Sequence, residues 1–64
     1  MKNVYFVDDK SIDMPTIKMT CDCGWIEKAY ADRDALTRAE MHIRVKHTTG
    51  KVHYNGLVTV VGGK

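Results

Sequence analysis

The sequence predicts an α+β fold, a small antiparallel β-sheet with one α-helix packed across it. Three observations carry that reading. Residues 17–25 alternate apolar and polar side chains with a period of two, as in a half-buried strand. Residues 32–47 place apolar side chains at helical spacing behind an acidic start. An Asn55-Gly56 pair then interrupts a β-branched tail, a strong hairpin signal. With 64 residues there is room for one domain, read as a ββα core over 16–50 with flanking strands at 3–7 and 52–61.

Asn3 to Val7 is β-branched and aromatic enough for a first strand. Asp8 to Pro15 is polar and ends in proline, which suits a connection. In the next segment Ile17, Met19, Cys21, Cys23 and Trp25 share one strand face, and Thr16, Lys18, Thr20, Asp22 and Gly24 share the other. If Gly24 turns the chain, Trp25 to Ala31 returns as the second strand of a hairpin. Asp32 is the expected helix N-cap, with Asp34 in the first turn where the dipole favours an acid. Leu36, Ala39 and Ile43 form the apolar stripe of the helix, and Gly50 is its expected C-terminal stop. The tail holds Val52, Tyr54, Leu57, Val58, Val60 and Val61 around Asn55-Gly56, either as a hairpin or as one bulged strand beside the first. Gly62-Gly63-Lys64 is expected to fray.

A chain this short buries only about 60% of its unfolded surface, so small domains usually recruit a disulfide, a metal or a partner. The two cysteines, Cys21 and Cys23, are too close for a useful disulfide. Alternation presents both sulfurs on one strand face, and Gly24 frees the backbone to turn around an ion. His42 and His47 lie toward the end of the helix on the flanks of its apolar stripe. Residues five apart sit about 140° apart on an ideal helix, so one ion reaches both only if the last turn tightens or unwinds. Cys21, Cys23, His42 and His47 are therefore read as four ligands of one structural zinc. The competing reading makes the cysteines small buried hydrophobes and the histidines helix-end caps. Trp25, on the cysteine face, is expected to pack over the site rather than stack on bases.

The run Cys21-Asp22-Cys23-Gly24-Trp25, the helix and then His42, His47 and Gly50 resemble small Cys-Cys-His-His zinc-finger-like proteins of actinobacterial phages and their hosts. The resemblance covers roughly residues 20 to 50. It implies a hairpin-plus-helix fold with those four side chains on zinc, and an accessory or host-directed binding role in the host cytoplasm. The chain departs from that pattern after Gly50, where Lys51 stands in place of a further histidine. His53 is the alternative ligand for that position.

The net charge of +2 is unevenly spread. Residues 1–22 carry three lysines against four aspartates, net −1, and residues 33–51 carry five basic against two acidic side chains, net +3. A basic helical half allows contact with a polyanion, with Arg38 and Arg44 as the contacting side chains. Its exposed N-terminal positions, Arg33, Asp34 and Thr37, include an acid that discourages phosphate, so nucleic acid is the weaker reading. Met41 and Val45 lie one turn apart, opposite Leu36 and Ile43. They form an exposed docking patch for a host or phage protein or a second copy, unless a strand covers them. No nucleophile, base and orienter occur as a set, and Glu27 and Glu40, the only glutamates, sit in no metallohydrolase motif, so no enzyme is expected. No apolar run approaches the roughly 20 residues of a membrane helix, and the apolar start is cut off by Asp8 and Asp9 before it makes a signal peptide. The expectation is an intracellular, zinc-stabilised interaction module.

Overall fold

A computed structural model describes residues 1–8 and 17–62. In chain order these form β1 (Lys2–Asp8), β2 (Ile17–Cys21), β3 (Ile26–Ala29), α1 (Asp32–Lys46), β4 (Thr49–Tyr54) and β5 (Leu57–Gly62). The expected connection over residues 9–15 and the last two residues of the tail lie outside the described residues. The five strands make one sheet in the order β3-β2-β1-β4-β5, with α1 across one face.

The sheet is mixed rather than wholly antiparallel, because β1 and β4 run parallel, with Val4 opposite Val52. Both local hairpins, β2–β3 and β4–β5, are antiparallel as the turns require. The β1–β4 pairing is set by α1, whose crossing returns the chain in the direction in which β1 ran. Asn55 and Gly56 close the β4–β5 hairpin with φ of 50° and 83°, the left-handed pair of a type I′ turn.

The core lies between α1 and one sheet face. Val4, Met19, Cys21, Ala29, Val52 and Val61 supply the sheet side, and Ala35, Ala39 and Ile43 the helix side. The buried helix stripe is centred on Ala35, Ala39, His42 and Ile43, with Leu36 at its margin. Two alanines facing the sheet let the helix approach closely enough for the two layers to share one thin core.

The helix ends differ from expectation. Ala31, not Asp32, takes the N-cap position, and among the described residues no side chain caps the helix there. Asp32 and Asp34 lie in the first turn and act through the dipole. At the other end Thr48, at φ 68°, makes the left-handed turn that Gly50 was expected to make. Gly50 instead belongs to β4, where any Cβ would collide with the Lys2 carbonyl oxygen and approach Ile43 Cδ1 at 3.0 Å. Gly62 is the last residue of β5 rather than part of a frayed end.

Candidate metal centre

The strand expected to carry both cysteines ends at Cys21. Cys21 is buried at the end of β2 and Cys23 lies in the turn that follows, exposed at its outer side. The turn is closed twice: the Gly24 N–H donates to the Cys21 carbonyl (2.9 Å) and the Cys21 N–H to the Trp25 carbonyl (2.9 Å). Gly24 has φ 100° and, among the described residues, nothing within 4 Å of the place a Cβ would take, so it is the backbone conformation that calls for glycine. The Asp22 N–H donates to the Asn3 carbonyl (3.0 Å), and Asn3 Nδ2 donates to Asp22 Oδ2 (2.9 Å), which ties the turn to β1. The turn folds Cys23 back over the helix, where alternation along a continuous strand would have carried it past.

His42 is buried on α1, and His47 is its C-cap. The His47 backbone leaves helical geometry at φ −127° and ψ −9° while its N–H still donates to the Ile43 carbonyl (2.8 Å). That unwinding brings together two imidazoles that an unbroken helix would splay apart. Cys23 Sγ lies 3.4 Å from His42 Nε2, Cys21 Sγ lies 3.7 Å from His47 Nε2, and the two Nε2 atoms are 3.2 Å apart. All four donor atoms fall within 4.8 Å of one another.

These edges fit a cation. Tetrahedral bonds of the usual Zn–N and Zn–S lengths put ligand nitrogens about 3.4 Å apart and a nitrogen and sulfur about 3.6 Å apart. A hydrogen-bond chain would line the groups up in donor–acceptor sequence. Here two sulfurs and two ring nitrogens turn toward a common point, with both imidazoles presenting the same Nε2 atom. Cys21, Cys23, His42 and His47 form a metal-binding group compatible with zinc.

The surroundings favour neutral histidine. Burial first, and then the nearby His47 and Lys46, push the His42 imidazolium below its ordinary pKa of 6.5. Burial raises the Cys21 thiol above 9.0, and a backbone hydrogen bond from Cys23 works against that rise. Trp25 stacks on His42 at 4.1 Å between centroids and 8° between planes, so the indole is a wall of the site, half-buried as its parity with the cysteines suggested. His53, the alternative ligand, is elsewhere: it stacks on Tyr5 (4.7 Å, 13°) on the sheet face away from the helix.

A pH prediction follows. Because folding lowers the His42 pKa, the unfolded chain binds more protons below about pH 6.5, and stability falls as the pH drops through that window. Protons also compete directly with the metal for both imidazoles. Metal release to a chromophoric chelator should therefore rise steeply below about pH 6 and be negligible at pH 7.5. Release independent of pH between 5 and 7.5 would place the histidines outside the metal's ligand set.

Of the four side chains expected to meet a partner, the structure brings two together. Met41 and Arg38 line a shallow groove of ≈ 260 Å³ with Trp25, Glu27, Thr37 and His42. Arg38 is held at its rim by Glu27 (2.8 Å) and Asp34 (3.0 Å), and those carboxylates raise its pKa, Asp34 first. Val45 and Arg44 are exposed outside the groove. No local pattern marks the groove, since Trp25 and Glu27 reach it only through the β2–β3 turn. No protein-family model, curated protein or solved structure matches this chain. Among the described residues, no helix is long and apolar enough to cross a membrane.

Proposed function

We propose that the chain is a small zinc-stabilised interaction module, working in a reducing cytoplasm and binding a protein partner rather than catalysing a reaction. The observation that carries this reading is the convergence of two thiols and two imidazoles at tetrahedral spacing in a fold too small to depend on its core alone. A structural ion is the natural use of four side-chain ligands, since a catalytic zinc keeps a position open. The motif resemblance, and that alone, points to a phage or its host as the setting. Elemental analysis of protein purified without a histidine tag should give one zinc per chain, and absence of bound metal would overturn the reading.

The partner surface we assign is the Trp25 groove with its Met41 rim. Its floor is the stacked Trp25–His42 pair, its far wall is the Arg38–Glu27 ion pair, and Met41 is 59% exposed. Such a site takes an apolar side chain next to a polar one. Val45, 66% exposed one turn further on, extends the apolar strip. Met41→Asp should leave zinc content and the circular dichroism spectrum unchanged and weaken partner capture at least tenfold, because the partner would have to desolvate the new carboxylate. Loss of the fold in Met41→Asp would instead make Met41 a packing residue.

A second reading, nucleic-acid binding, is favoured by the opposite sheet face rather than by the helix. Lys18 and Lys28 stand side by side on that face, two basic side chains in cross-strand register. Lys51 and the stacked Tyr5 and His53 share that face. Arg38 is already committed to two carboxylates. If this reading holds, affinity for single strands should fall steeply with salt, and Lys18→Glu should weaken it more than Arg44→Glu does.

A further inference from the structure

The two edges of the sheet are built unlike each other. The β3 edge has four residues, places Glu27 and Lys28 at its centre, and lies under Arg38. Short, charged and covered edges resist pairing with a foreign strand. The β5 edge has six residues, Leu57-Val58-Thr59-Val60-Val61-Gly62, with no charge and no proline. Among the described residues no strand lies on its outer side, and Leu57, Val58 and Val60 are 71%, 53% and 61% exposed.

The hairpin fixes which backbone groups of that edge are free. In a two-residue hairpin the flanking pair, here Tyr54 and Leu57, exchanges both hydrogen bonds. Alternation then directs the N–H and C=O groups of Leu57, Thr59 and Val61 toward β4, and those of Val58 and Val60 outward. Laid antiparallel against a copy of itself about Thr59, the strand sets Val58 opposite Val60 of the copy, and Val60 opposite Val58. The outward groups meet in bonded pairs, Thr59 faces Thr59, and Leu57 faces Val61. Every cross-strand pair is β-branched or aliphatic, matched in face and free of like charge.

We infer that β5 is a self-pairing edge, and that two copies of the chain join there as a two-fold dimer with one continuous sheet. A second copy fits better than an unrelated strand because the register is self-complementary in hydrogen bonding, side-chain face and charge at once. The assembly closes at two copies because the β3 edge at each far end is the protected one. This inference does not depend on what the Trp25 groove binds.

Sedimentation equilibrium of the zinc-loaded chain tests it. The expected result is a monomer–dimer equilibrium, with the Val58 and Val60 amides gaining protection from hydrogen exchange as concentration rises and the Thr59 amide unchanged. Thr59→Lys, which sets two ammonium groups face to face on the two-fold axis, should weaken dimerisation at least tenfold. Val60→Pro removes an outward N–H without touching a β4 bond and should do the same, with zinc content retained in both variants. A monomer at millimolar concentration, open-ended aggregates, or a dimer indifferent to Thr59→Lys would each overturn the proposal. The first of these would leave the edge to a strand from another protein.

Discussion

Excess chelator is expected to unfold this chain, and Cys23→Ser to prevent stable folding without any chelator. The core is thin. Among the described residues its largest fully buried side chains are Met19, Ile43, Val4 and Val52, and three of the buried core positions are alanines. Structural zinc contributes roughly 10–16 kcal/mol in finger peptides, against a net stability of about 5–15 kcal/mol for a whole domain. Losing the ion therefore exceeds what the remaining contacts supply. Cys23→Ser is the more incisive variant because Cys23 is exposed and packs little, so its loss measures ligation rather than a cavity. Far-ultraviolet circular dichroism should show a largely unfolded chain in chelator, restored on adding zinc. A chain that stays folded in chelator, with an unchanged thermal midpoint, would show that the four side chains hold no structural metal.

The contrast between Cys21 and Cys23 also marks how far the sequence could be read. The metal ligands were legible because thiol and imidazole are scarce side chains whose clustering has few other uses. The helix and the first hairpin were legible from local patterning, and the tail hairpin as one of two readings of Asn55-Gly56, since these signals act within a few residues of where they stand. That the tail pairs with β1 was one of those two readings, but its parallel direction and its coexistence with the hairpin were not legible. The pairing joins residues nearly fifty apart, and nothing local distinguishes a parallel return beside β1 from an antiparallel one. Strand alternation carried Cys23 one step too far along β2, because the turn begins at Asp22 rather than at Gly24. The groove beside Trp25 was hidden for the same reason, as its two walls come from β3 and α1.

Gly50 gives the second large expected effect. Read along the chain, it is a helix stop. In the fold it is the place where β4 passes beneath Ile43 and beside the Lys2 carbonyl. The two roles predict different tolerances. A helix-stop glycine accepts asparagine at small cost, because asparagine also adopts the left-handed conformation. At Gly50 the left-handed conformation is not used, and a Cβ meets a backbone oxygen that cannot rotate away and a fully buried isoleucine at 3.0 Å and 3.1 Å. Gly50→Ala should therefore cost about 2–3 kcal/mol, as overpacking of a tight core does. That corresponds to roughly 10–20 °C in the thermal midpoint of the zinc-loaded domain, and Gly50→Asn should be no better tolerated. The strain bears on the metal as well. Pushing Ile43 outward tilts the C-terminal end of α1, which carries His42 and leads into the His47 C-cap, so zinc affinity should fall along with the midpoint. A Gly50→Asn variant with an unchanged midpoint would return Gly50 to the helix-stop role and remove the close β1–β4 approach from the account of what seats the helix on the sheet.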